Sequence, residues 1–328
     1  MDERLSPDGR RNSGTGSKGP ILGIELTQGI VSGEGTGRRT RLFHRALSIG
    51  IGMFDLTAST TPLLDARLIK DSNREFHRTL TLVASAQGRG HPASERIARS
   101  EPPDSTSVES IPSTEATLLH AIGENAGPEG RLWIEISPND SESSSHSELT
   151  AAFPAPLKGA TASWVFRWDS PAELDLALQR ARRLGGAMVS GPASLLDPRG
   201  PAAVAAISPP GVRPYLARDP FAGGRLDGSL LEAGNLDRRP NYGPWSLERL
   251  QEEYGPVLAL GFLAKRGVRN LRVAALQYML TLPTVAGIVV PISTDRQLDE
   301  LERLPSAPPL GAADLERIAQ LQTRRRTA

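Results

Sequence analysis

Two carboxylates sit where β-type runs could carry them into a site. Asp55 falls near the end of GMFDLTAST (52–60), and Glu135 falls inside RLWIEIS (131–137). A carboxylate at a strand end can accept a proton, hold a cation or, as one of a pair, serve hydrolysis as acid or base. In RLWIEIS the two-residue alternation puts Trp133, Glu135 and Ser137 on one face and Leu132, Ile134 and Ile136 on the other. A carboxylate turned into a core needs a partner. Other chemistries are thinly supplied. The chain has no cysteine, which removes thiol nucleophiles, thiolate zinc sites and disulfides together. Its only lysines are Lys18, Lys70, Lys158 and Lys265. His44, His77, His91, His120 and His146 lack close metal-ligand spacing, so no metal is expected. GTGSKG (14–19) and GEGTG (33–37) each fall short of a complete phosphate-loop motif and read as flexible loops.

Residues of this kind need a scaffold, and the chain supplies strands alternating with helices. The runs GMFDLTA (52–58), TLTLVAS (79–85), RLWIEIS (131–137), ASWVFRW (162–168), GAMVSG (186–191), VRPYLAR (212–218) and AGIVVPI (286–292) read as strands. Segments 170–185, 244–267 and 270–283 return apolar residues every three or four positions and read as helices. Ser170, followed by Pro171 and Glu173, forms a helix start in which the serine oxygen can accept a backbone N–H. ARLIKD (66–71) is expected in the first outer helix. GPILGIEL (19–26) reads as a first hairpin strand or a lid over the barrel base. Alternation over about 270 residues favours a (β/α)8 TIM barrel, with an open doubly wound sheet as the other architecture.

The domain layout follows from composition. Residues 1–19 and 323–328 are polar and are expected to be mobile tails, the second basic. Residues 20–322 form a single barrel domain with polar insertions near 87–113 and 137–148. Thirty-eight Lys and Arg against 37 Asp and Glu give no field that selects nucleic acid or an anionic membrane as partner. The absence of an apolar run of leader or spanning length predicts a soluble, cytoplasmic protein whose partners are a small-molecule ligand or another protein.

Several segments in this order resemble the aldo-keto reductases, NAD(P)H-dependent barrel enzymes. RALSIGIGMFDLTAST (45–60) resembles the family's Gly-Ile-x-x-Phe-Asp-Thr-Ala segment. SWVFRWDSPAELDLAL (163–178) is similar to the strand and helix around its Gly-x-Ser-Asn turn. LARDPFAGGRLDG (216–228) resembles its Ser-Pro-Leu-x-x-Gly-x-Leu-Thr-Gly loop, and VAALQYMLTLPTVAGIVVPISTDRQLDEL (273–301) its last helix, last strand and phosphate-binding turn. The likeness runs from about Pro20 to Gln322.

That resemblance implies hydride transfer to a carbonyl, with a tyrosine as acid, a lysine lowering its pKa, a histidine orienting the substrate and an aspartate holding the lysine. Asp55 matches the aspartate. The tyrosine position falls on Thr60, the lysine position on Ala86 and the histidine position on Ser137. No lysine lies between Lys70 and Lys158, and no tyrosine precedes Tyr215. On the cofactor side, Arg167 and Trp168 replace the carboxamide-binding Ser-Asn pair, and Ser190 replaces a glutamine. Arg218 takes the position that packs on the nicotinamide ring. Gly223, Gly224 and Gly228 keep the glycine loop, Ser293 and Gln297 match positions near the adenosine phosphate, and Leu301 replaces an asparagine. NADP or NAD is the implied cofactor. Arg167 is then a partner for an inward Glu135, as a structural salt bridge or as a clamp for an anionic substrate. Two functions follow: a divergent NAD(P)H-dependent oxidoreductase, or a catalytically inactive barrel serving as a ligand-binding, regulatory or scaffold subunit.

Overall fold

A computed structural model describes residues 21–26, 36–57, 59, 62–85, 113–126, 130–136, 161–183, 187–209, 212, 214–227, 247–265, 268–292 and 294–327. Eight strands, every adjacent pair parallel, close into a barrel in chain order. They are β1 (Ile21–Leu26), β2 (Met53–Asp55), β3 (Thr81–Ser85), β4 (Arg131–Ile136), β5 (Thr161–Arg167), β6 (Met188–Pro192), β7 (Tyr215–Arg218) and β8 (Val285–Ile292). The helices are α1 (Thr36–Ser48), α2 (Pro62–Asn73), α3 (Ser113–Ala126), α4 (Pro171–Arg183), α5 (Arg199–Ala205), α6 (Leu247–Ala259), α7 (Leu271–Thr281), α8 (Asp295–Arg303) and α9 (Ala312–Thr327). None of the helices among the described residues is long and apolar enough to cross a membrane.

The two faces of each strand bury different things. Outward side chains such as Phe54, Leu82, Leu132, Ile134, Phe166, Tyr215 and Ile288 join the helices in the main core. Inward side chains fill the barrel itself: Met53, Val83, Trp133, Val165, Met188, Leu216 and Val289 form a separate apolar plug. Strands buried on both faces read as short apolar runs rather than alternating ones. Gly23 sits on the inner face of β1, where an added Cβ would lie 2.3 Å from the Met53 Cε. The glycine leaves room for the methionine in the plug.

The segment read as a hairpin strand or base lid is neither. β1 pairs parallel with β2 on one side and β8 on the other, because a barrel of parallel strands needs its first strand to close against its last. This closure also rules out the open doubly wound sheet. The first outer helix is α1, and ARLIKD lies in the second, α2. At the start of α4 the carboxylate of Glu173 accepts the N–H groups of Asp169 at 2.8 Å and Ser170 at 3.0 Å, so the glutamate reaching back performs the capping assigned to the serine. The segment read as a basic tail, 323–328, is helical through Thr327 as the end of α9. Segments 1–19, 87–112 and 137–148 lie outside the described residues.

Candidate functional site

The side chains that cap the apolar plug are charged, and the strand period explains why they lie together. Two residues beyond Gly23, Met53, Trp133, Val165, Met188 and Leu216 stand Glu25, Asp55, Glu135, Arg167, Ser190 and Arg218. A step of two keeps each on the inner face and moves it toward the C-terminal end of its strand. That end is where barrels of this architecture carry their sites.

Arg218 is the centre of the layer. Its Nη1 donates to Asp55 Oδ2, its Nη2 to Glu135 Oε2 at 2.6 Å, and its Nε to Glu135 Oε2 at 3.0 Å and Ser190 Oγ at 2.8 Å. The Ser190 hydroxyl in turn donates to Glu135 Oε2 at 3.0 Å. The second oxygen of Glu135 accepts from Arg167 Nη1 at 3.2 Å, and Arg167 Nε donates to Asp169 at 2.7 Å. Asp55 is oriented from the other side by the Thr57 backbone N–H, 2.8 Å from Oδ1. The side chains of Arg218, Asp55 and Glu135 are 9%, 0% and 4% exposed, whereas Arg167 is 34% exposed. The first three therefore form an ion triad out of water, and Arg167 joins it to the rim.

Burial works against the charge of Arg218, but attraction from Asp55 and Glu135 and the hydrogen bond to Asp55 outweigh it and raise its pKa. For Arg167 too, desolvation is outweighed by Glu135 and Asp169, and its pKa is raised. Glu25 is the group the sequence reading passed over. Burial first, then repulsion from Asp55, pushes its carboxyl up to about 7, against the pull of Arg218 and Arg167. Its signal was present in ILGIEL: the alternation that makes Gly23 inward makes Glu25 inward as well.

Of the residues singled out from sequence, Asp55, Glu135, Arg167 and Arg218 are brought together, and the Glu135 to Arg167 pair forms as expected. Arg218, placed against a nicotinamide ring by the resemblance, instead directs its guanidinium onto two carboxylates and a serine, since a charge buried at that depth must be paired. Thr60, Ser137, Ser293 and Gly228 lie outside the described residues. Tyr215 faces the outer core. Its hydroxyl accepts from Trp168 Nε1 at 3.2 Å and donates to the Pro192 carbonyl at 3.1 Å, and burial raises its pKa.

The positions expected to hold a dinucleotide are arranged differently. Asp219, Ala222, Gly223 and Gly224 follow β7 with φ values of 49°, 52°, 66° and 84°. The Gly223 N–H points at the carboxylate of Asp219, 2.8 Å from both oxygens. At the start of α8 the Thr294 N–H donates to the Gln297 side chain at 3.1 Å, within a capping box whose other half bonds the Thr294 side chain to the Gln297 backbone. One amide at each turn is thus met by an acceptor of the chain itself, at Gly223 by a carboxylate that repels phosphate. Among the described residues no cluster could hold a metal ion.

The architecture and the charged layer together define a (β/α)8 barrel protein with a candidate site at the C-terminal mouth. Solved structures with this fold include an aldo-keto reductase from Bacillus halodurans in its holo form, with a TM-score of 0.57 and 16% identity over 92% of this chain and 91% of that one. Its apo form gives 0.56 and 15% over the same shares. The glycerol dehydrogenase of Gluconobacter oxydans gives 0.57 and 14%, again over 92% and 91%. The chain therefore shares the (β/α)8-barrel fold of these structures. No protein-family model matches the sequence, and no curated protein matches it significantly.

Proposed function

We propose that the chain is an aldo-keto-reductase-like barrel that binds a small-molecule ligand at its mouth without carrying out carbonyl reduction, a ligand-binding or regulatory member rather than a working reductase. The observation that carries this reading is the pairing of Arg218 with Asp55 and Glu135. Reduction by a phenol requires a nearby cation that is free to lower the phenol's pKa. Here the cation beside Asp55 is neutralised by two carboxylates. No phenol, ammonium or imidazole takes part in the charged layer among the described residues. The balanced charge of the chain supports a small molecule or protein as partner over nucleic acid or membrane, and a cytoplasmic setting is part of the same proposal.

A second reading, a divergent NAD(P)H-dependent oxidoreductase, draws support from Glu25. A carboxylic acid held near neutrality is a competent general acid, and the fold is one that reductases use. Incubating the purified protein with NADPH or NADH and a panel of aldehydes and ketones separates the two. The expected result is no carbonyl-dependent loss of the reduced cofactor's absorbance. Saturable, carbonyl-dependent oxidation that disappears in Glu25→Gln would replace the first reading by the second.

A further inference from the structure

Three carboxylates face one guanidinium at the barrel mouth, and they are not equivalent. The strand register places Glu25 of β1 directly beside Asp55 of β2. Asp55 takes Arg218 and the Thr57 amide, while Glu135 takes Arg218, Ser190 and Arg167. Among the described residues Glu25 has neither a hydrogen bond nor an ion pair. On its other side β8 offers Pro291, which is uncharged. The charged groups that act on Glu25 are therefore Asp55 from β2, Glu135 from β4, Arg167 from β5 and Arg218 from β7.

With all of these ionised, three carboxylates stand against two guanidiniums, and Arg167 is further shared with Asp169 on the rim. One proton makes the inner layer neutral. Asp55 and Glu135 each accept directly from Arg218, and Glu25 does not, so Glu25 is the carboxylate placed to take the proton.

We infer that Glu25 is the proton-exchanging member of this network, a switch whose charge decides whether Arg218 answers to two carboxylates or to three. Burial and the neighbouring Asp55 move its titration from 4.5 to about 7, in keeping with the geometry. Protonated, Glu25 leaves Arg218 shared between Asp55 and Glu135. Ionised, it adds a third attraction on the same guanidinium and an excess negative charge at the mouth. The inference rests on the placement of the charges and stands whether or not the barrel reduces a carbonyl.

The direction of the pH effect follows from linkage. The unfolded chain releases the Glu25 proton near 4.5 and the folded chain near 7, so the folded state binds more protons between those values and its stability falls as pH rises through that window. Two measurements on the full chain test the switch. In a protein labelled at the glutamate carboxyl carbons, with Glu25→Gln as the assignment control, the Glu25 resonance should titrate near neutrality. The Arg218 Nε–H resonance should move with the same midpoint. Thermal denaturation should show the midpoint falling from about pH 5 to about pH 8 in the wild type, with a flatter profile in Glu25→Gln. A Glu25 carboxyl that titrates at its ordinary 4.5, or a Glu25→Gln protein that keeps the wild-type slope, overturns the inference. If the variant does not fold, the wild-type carboxyl titration decides alone.

Discussion

Arg218 decides the character of the site. Its guanidinium can reach Asp55 with one nitrogen and Glu135 with two others, a forked geometry that lysine lacks. Removing it strands two buried carboxylates without a cation. Arg218→Met is therefore expected to cost about 3–5 kcal/mol in urea denaturation, because breaking one partner of a buried ion network leaves uncompensated charge. Arg218→Lys should lose less, since the charge remains while one contact is given up. A methionine variant as stable as the wild type would disprove that Arg218 holds this network together. At this scale the sequence was informative about identity and silent about pairing. Alternation along β4 is local, so an inward Glu135 was legible. The partner of Asp55 lies 163 residues away, and no local pattern signals it.

The strands place these residues through a single rule, an apolar inward residue followed two positions later by a polar one. Five of the six strands that carry the charged layer put a member of the apolar plug beneath it, and the sixth puts Gly23 there. The outer face has its own constraint at β6. An added Cβ at Gly191 would lie 2.3 Å from Nε1 of Trp168, whose N–H bonds the Tyr215 hydroxyl. Gly191→Ala should displace that indole and lower stability by about 1–3 kcal/mol, the range for overpacking a filled core. Thermal denaturation would read the loss, and a shifted tryptophan emission would locate it. An unchanged emission maximum would mean that the ring accommodates the methyl without moving. Most strands were legible from their short apolar runs. β1 was seen but given the wrong role, because six residues of strand carry no mark of which neighbours they pair with.

The closure of the whole molecule depends on contacts between segments remote in sequence, at its C-terminal end as at its mouth. Arg269, between α6 and α7, has a side chain only 2% exposed. It donates to the Leu263 carbonyl, to Gln277 and to Asp314 at the start of α9. Arg269→Ala removes these donors at once and leaves acceptors unmet, so α9 should detach more readily. Faster trypsin cleavage at Arg324, Arg325 or Arg326 is the expected reading, and a digestion pattern like the wild type's would disprove it. The same segment shows why a basic, polar composition reads as a mobile tail: it carries no strong apolar stripe, and its helix is held by docking near Tyr278 and Leu195 through Gln322. By itself the sequence determined the alternation of strands and helices and the inward face of β4, because these depend on periodicity within a few residues, and it favoured a barrel over an open sheet without deciding between them. Only the tertiary structure decided that β1 closes the barrel, that Asp55 holds an arginine, that the Gly223 amide meets Asp219, and that Glu25 stands beside Asp55. Those facts depend on which distant strands become neighbours, and charge interactions take their sign and size from that neighbourhood.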